Sequence, residues 1–321
     1  MRRIVATLLL ALLPLLAAAQ EGAAKDRVSI VLNWFPEAEH GGYYAALVHG
    51  YYAEAGLDVE ILPGGVDVPV LPMVATGRVQ FGVDNADQLL LARTQQAPVV
   101  AVMAPMQVSP RCILVHESSG IQSFEQLENM TLGMSAKAAF SEWLLKRYPL
   151  AKVKIVPYPG NVSQFLVDKN YGCQGYNISE PIVARRQGAT PRVLMVSDTG
   201  YNPYTSLLIT SEKLAAEKPD VVRRMTEASI KGWRKYIEDP ARTNAFINKL
   251  NPQMEMYILD EGAKLLVDMV LDEAAKRDGL GSMTAERWST LVSQLEEIGL
   301  LKPGSVPAES AYTTEFLPAA K

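Results

Sequence analysis

The run Asn33-Trp34-Phe35-Pro36, followed by His40-Gly41-Gly42-Tyr43-Tyr44, gathers side chains able to hold a flat, polar molecule. An indole face stacks on a ring, and the amide beside it offers both a donor and an acceptor. His40 adds a donor, Tyr43 a further ring, and a helix opening on Gly41-Gly42 presents free N–H groups that can hold an anion or a polar ring edge. The competing reading of this loop is structural: Trp34 caps a core, Asn33 closes a turn, His40 is solvated, and the glycines permit tight packing. Asp84 and Asn85 are both good helix caps, and one suffices. Assigning Asp84 to the cap leaves Asn85 to read a ring edge. In Gly133-Met134-Ser135-Ala136-Lys137, Ser135 is a candidate contact. Lys137 either neutralises a phosphate or sulfonate or is an exposed lysine. Asn177 can pair a ring nitrogen and Glu180 can accept from an exocyclic amine. A Ser179 cap with Glu180-Pro181 in the first turn is also what helix chemistry alone asks for. Tyr204 either stacks on a ligand or packs in a hinge.

No reaction machinery accompanies these residues. The sequence has no Gly-rich phosphate loop, no G-x-S-x-G elbow and no His-x-x-x-His spacing. His40, His49 and His116 are not spaced as metal ligands. Binding rather than catalysis is expected, with no cofactor and no metal. Arg2 and Arg3, the apolar run 4–16 and the small residues Ala17-Ala18-Ala19 read as a cleavable secretory leader, residues 1–19, delivering the protein to the periplasm. No cysteine follows the apolar run, so lipid anchoring is not expected. The formal net charge of −4 becomes −6 once Arg2 and Arg3 leave with the leader, which argues against nucleic acid and anionic membrane surfaces as partners. Cys112 and Cys173 sit in unrelated local patterns, and no bond between them is expected.

These residues must be positioned by an α/β framework. Strand-like segments at 28–32, 59–62, 81–83, 99–103, 112–115, 131–134, 154–157, 175–177 and 193–196 alternate with helical ones at 42–55, 68–76, 84–95, 123–128, 139–148, 161–169 and 180–186. Such alternation predicts open, largely parallel sheets. Beyond Ser211 only helical spacing remains, at 212–217, 219–237, 240–251, 253–271 and 285–298, with Pro219, Pro240 and Pro252 near helix starts. A mature chain of about 300 residues exceeds one typical core, so two lobes are expected. Pro- and Gly-containing stretches at 103–111 and 197–204 read as crossings between them. Lobe I is then 25–107 plus 201–321, and lobe II is 108–200.

The pattern strand-Asn33-Trp34-x-Pro36-x-x-x-His40-x-x-x-Tyr44-x-Ala46, with Gly50-Tyr51-Tyr52 and Ala55-Gly56-Leu57-Asp58-Val59 downstream, resembles a known family. It is similar to the substrate-binding proteins of ABC importers that capture thiamine pyrimidine precursors, and to the related pyrimidine synthases. The resemblance implies a bilobed type II periplasmic binding fold with two hinge crossings and a C-terminal helical return. It implies a heterocyclic small-molecule ligand, an inner-membrane permease as partner and a monomer. The synthases carry closely spaced cysteines next to a histidine, which Cys112, Cys173 and His116 do not form. Riboflavin, alkanesulfonate and nitrate are the alternative ligands. The aromatic candidates favour a flat ring over a sulfonate.

Overall fold

The computed structural model describes residues 25–319; the expected leader lies outside the described residues. Ten strands form two five-stranded sheets. They are β1 (Asp26–Val31), β2 (Leu57–Leu62), β3 (Phe81–Asp84), β4 (Val99–Met103), β5 (Arg111–His116), β6 (Thr131–Gly133), β7 (Lys154–Val156), β8 (Tyr171–Tyr176), β9 (Pro191–Met195) and β10 (Leu207–Ser211). The first sheet runs β2-β1-β3-β10-β4 and the second β7-β6-β8-β5-β9. The two sheets share one topology. In each, the reversed strand is the one formed as the chain arrives from the other sheet: β10 is antiparallel to β3 and β4, and β5 is antiparallel to β8 and β9. The remaining pairs, β1 with β2 and β3, and β6 with β7 and β8, are parallel. This is the bilobed type II periplasmic binding fold.

The strands carry runs such as Val99-Val100-Ala101-Val102-Met103, buried throughout, because helices cover both faces of such a sheet. β10 is not expected from the sequence. Its Leu-Leu-Ile-Thr-Ser run is short and follows a proline-bearing crossing, and its burial comes from pairing with the distant β3 and β4. The helix expected over 42–55 is broken in two, Gly41–Val48 and Tyr51–Glu54, by Gly50 at φ 83°.

The C-terminal helices return onto the first lobe. The helix Pro219–Glu238 packs against Gly41–Val48 so closely that a Cβ on Gly42 would meet the Trp233 ring at 2.1 Å. The helix Ala285–Glu297 lies on the other side and reaches the second lobe, where Arg147 pairs with Glu297 at 3.3 Å. Cys112 and Cys173 are free and buried. Although nothing in the local sequence relates them, they lie on adjacent strands, Cys173 opposite Leu114 and Cys112 opposite Gly175. Among the described residues, no helix is long and apolar enough to cross a membrane.

Candidate functional site

Parallel strands end on one edge of a sheet, and there side chains from neighbouring loops converge. In both lobes that edge faces the same cavity. The first lobe contributes Asn33, Trp34 and Glu37 after β1, and Asp84 and Asn85 at the end of β3. The second contributes Arg111 from the start of β5, Ser135 after β6, Tyr158 after β7, Gln174 and Tyr176 on β8, and Glu180 from the helix Glu180–Arg186. The cavity measures about 310 Å³, and a recess of about 80 Å³ continues from it past Arg111, Ser135, Gln174 and Tyr176.

The first-lobe wall is an organised polar chain. Asn33 donates through Nδ2 to Glu39 Oε1 (3.0 Å), and its Oδ1 pairs with His40 Nε2 (2.9 Å). Glu39 also accepts from Ser206 Oγ (2.7 Å). Asn85 donates to the Tyr176 hydroxyl (3.1 Å) and accepts from the Ser206 N–H (3.1 Å), so it ties the second sheet to the entry of β10. A second contact between lobes runs from Ser179 Oγ to Glu37 Oε2 (2.9 Å). Trp34 is half-buried, with Phe35 at its edge (centroids 5.5 Å apart). Its backbone is pressed against Gly64, where a Cβ would meet the Leu32 O at 2.1 Å and the Trp34 N at 2.5 Å, so any larger residue would displace the backbone that carries Asn33 and Trp34. On the opposite wall Glu180 accepts from the Tyr158 hydroxyl (2.9 Å) and the Tyr176 N–H (2.7 Å).

The site is crowded with carboxyl groups. Burial raises Glu37 well above the usual carboxylate range, and the neighbouring Glu180 and Glu39 charges push it further. Burial raises Asp84 to about 7, against the Asn85 N–H that favours its charged form. Glu180 is raised by burial as well, although the Tyr176 N–H opposes this. Arg111 is the cation among them. Burial works against its charge, yet Tyr176, Glu180, Glu39 and Asp87 hold its pKa above the ordinary value.

Of the residues expected from the sequence, Asn33, Trp34, Asn85, Ser135 and Glu180 line the cavity. Four others do not reach it. His40 is fully buried behind Asn33 and orients that amide. Tyr43 is fully buried, its hydroxyl donating to Ser206 O (2.8 Å) and its ring edge-on to Trp233. Asn177 lies past the end of β8, its N–H donating to Pro110 O (2.9 Å). Tyr204 packs beside Trp288 and accepts from the Thr284 N–H (3.0 Å), deep in the hinge. The Asp84 cap is also corrected: Asn85 is the N-cap of the helix Ala86–Thr94 and makes no side-chain capping bond, while Asp84 accepts from the Asn85 N–H (2.8 Å). Lys137 is exposed and away from the cavity.

Sequence reasoning passes over Glu37, Glu39, Arg111, Tyr158, Gln174 and Tyr176. A signal exists for some of them. Gln174 is a polar residue in the buried strand Tyr-Gly-Cys-Gln-Gly-Tyr, and such a group needs a partner or a ligand. Glu37 and Glu39 are two acids in the same short loop as Asn33, Trp34 and His40. Among the described residues, no cluster of three or more His, Cys, Asp or Glu side chains is arranged to hold a metal.

A bilobed α/β chain with a polar, aromatic cavity between two like sheets falls in the class of periplasmic binding folds. The chain belongs to the NMT1/THI5-like family, whose model matches residues 37–243. It is 26% identical over 314 residues to the riboflavin-binding protein RibY of Chloroflexus aurantiacus, covering 91% of this chain and 86% of that one. It is 24% identical over 329 residues to the formylaminopyrimidine-binding protein of Halalkalibacterium halodurans, covering 96% and 97%. Among solved structures, the periplasmic aliphatic sulphonate-binding protein SsuA of Escherichia coli superposes with a TM-score of 0.70 at 13% identity, covering 89% of this chain and 91% of that one, a likeness of fold.

Proposed function

We propose that the chain is the periplasmic solute-binding component of an ABC importer. It captures a pyrimidine of the thiamine-precursor type between its lobes and delivers it to an inner-membrane permease. The observation that carries this reading is the cavity wall itself, where Trp34 stands among Glu37, Glu39, Asp84 and Glu180. An aminopyrimidine offers a ring face for an indole and an exocyclic amine for carboxyl acceptors. The same wall offers carboxyl oxygens and an indole rather than the hydroxyls and helix N-termini that suit a sulfonate or nitrate. Nothing in the arrangement pairs a nucleophile with a base, and the reading is of binding without chemistry. The two relatives that match nearly the whole chain, one riboflavin-binding and one formylaminopyrimidine-binding, lend support to a heterocycle.

Riboflavin is the second reading, and the cavity size favours it. A volume of about 310 Å³ with an adjoining recess of about 80 Å³ leaves room around a single substituted pyrimidine. Isothermal titration of the mature protein separates the two, with hydroxymethylpyrimidine, formylaminopyrimidine, thiamine, riboflavin and taurine as the panel. Micromolar or tighter binding confined to the pyrimidines supports the proposal. Binding of riboflavin alone keeps the importer role and overturns the ligand, and binding of taurine overturns the reading of the acidic wall.

A further inference from the structure

Arg111 opens β5 directly after the first crossing. Its guanidinium lies between two rings, 4.8 Å from the Phe140 centroid and 4.3 Å from that of Tyr176. It lines both the main cavity and the recess behind it. A guanidinium carries its N–H donors in one rigid plane, and stacking between rings fixes that plane. Yet among the described residues no protein acceptor takes a hydrogen bond from it. Glu180, Glu39 and Asp87 act on it only through space. Where Arg287 saturates itself on backbone carbonyls, Arg111 keeps its donors for the cavity. Gln174 beside it is buried, and its Oε1 is taken by the Ser135 N–H (2.7 Å), which leaves its amide NH₂ as the free end. Arg111 and Gln174 thus present donors where the recess joins the main cavity, and the one carboxyl group in the recess, Asp87, already accepts from the Tyr201 hydroxyl (3.0 Å) and the Gln88 N–H (2.8 Å). Donors that face a cavity with no protein partner are open to an acceptor on whatever enters it.

We propose that Arg111 is a specificity-determining residue that donates to a carbonyl-type oxygen on the ligand. The cavity then selects a dipolar heterocycle, with its amine edge toward Glu37, Glu39, Asp84 and Glu180 and its oxygen-bearing arm in the recess. The identity of the ring rests on the pyrimidine reading above; the requirement for an oxygen acceptor does not.

The test titrates wild type, Arg111→Gln and Arg111→Lys with formylaminopyrimidine and with its analogue bearing a methyl group in place of the formylaminomethyl arm. Riboflavin serves as a third ligand. Wild type is expected to prefer the formyl compound by about ten- to a hundredfold, the range for a hydrogen bond to a charged donor. Arg111→Gln should lose that preference, the formyl compound falling about ten- to a hundredfold further than the methyl analogue, and Arg111→Lys should keep part of it because it retains charge without the planar fork. Survival of the preference in Arg111→Gln, or equal loss for both ligands, overturns the role of Arg111. Failure of the pyrimidine reading looks different: wild type ignores both pyrimidines and binds riboflavin. Arg111 is then judged on the carbonyl oxygens of that ring. A tenfold or greater loss in Arg111→Gln at an unchanged melting temperature supports the role, and unchanged affinity overturns it.

Discussion

The hinge and the cavity wall are both polar, both threaded by side chains from distant parts of the chain, and only a few residues apart; they differ in how completely their polar groups are satisfied. At the hinge, Arg287 donates to the carbonyl of Asn202 (2.9 Å), to that of Gln107 and to Gln107 Oε1 (3.3 Å), and it stacks on Tyr204 (4.0 Å to the centroid). Asn202 accepts from the Ser109 N–H (2.7 Å), and Gln107 donates to the carbonyls of Ala104 (2.9 Å) and Ser282 (3.0 Å). One guanidinium thus pins both crossings, with no carboxylate involved. In the cavity the other guanidinium, Arg111, has rings on either side and no acceptor among the described residues, and carboxyl groups crowd one another. A network closed on itself holds a conformation, whereas one left open at defined atoms is poised for a molecule from outside.

The largest expected effect falls on the hinge. Arg287→Ala removes the donor shared by both crossings and strands buried carbonyls, so unfolding in urea should show a loss of about 3 kcal/mol or more. Ligand affinity of the folded fraction should change far less. A variant that kept its stability but lost binding would dissolve the contrast between the two regions.

Trp34→Ala is the converse. The ring is half-buried at the cavity edge and has no hydrogen-bond role, so stability should change little. Losing a stacked aromatic should cost about 2 to 3 kcal/mol of binding, read by titration as a fall of roughly thirtyfold or more. Unchanged affinity would remove Trp34 from the ligand's surroundings.

The two regions are not equally legible in the sequence. Alternating apolar segments and the prolines at 105, 110 and 203 make the two-lobed framework and its crossings readable from the amino-acid order alone. Residues at strand ends, Asn33, Trp34, Asn85, Ser135 and Glu180, are readable as cavity candidates because parallel sheets expose that edge. What stays hidden depends on contacts far apart in the chain. Tyr43 and Tyr204 are the same residue type as Tyr158 and Tyr176, and only packing against Trp233 and Trp288 sends the first pair into the core. Arg111 reads as an ordinary charge at a strand start until Phe140 and Tyr176 close over it. Glu37 and Glu39 look like solvated loop acids, yet they are 4% and 1% exposed.

A dependence on pH tests the burial of the carboxyl groups. Asp84 has its pKa raised by burial from the ordinary 3.8 to about 7 in the folded protein. Over that window the native state keeps a proton that the unfolded chain has released. The stability associated with this group is therefore present at acid pH, lost as pH rises through the window and level above it. Its share of the slope is at most about 1.4 kcal/mol per pH unit for one proton. Urea unfolding of the apoprotein between pH 4 and pH 8 should show the decline, and Asp84→Asn should flatten it. An identical slope in the variant would assign the proton uptake elsewhere, with Glu37 next in line because burial and its acidic neighbours raise it in the same direction.

The smallest effect is at the contact that ties Glu37 of the first lobe to the second. Ser179 Oγ donates to Glu37 Oε2, although Ser179 is itself the N-cap of Glu180–Arg186 and makes no side-chain capping bond there. Ser179→Ala therefore removes the contact between lobes without removing a cap. The helix should stay intact, and the loss should be close to that of a single hydrogen bond, about 1 kcal/mol. Because the two partners sit on opposite lobes, the loss should appear as a few-fold faster ligand dissociation, measured by stopped flow, more than as a lower melting temperature. Ser179→Thr, which keeps the hydroxyl, should restore the wild-type rate. If Ser179→Ala lowered the melting temperature and left dissociation untouched, the contact would belong with the self-satisfied hinge, and the line between the two regions would have to be drawn on the cavity side of Glu37.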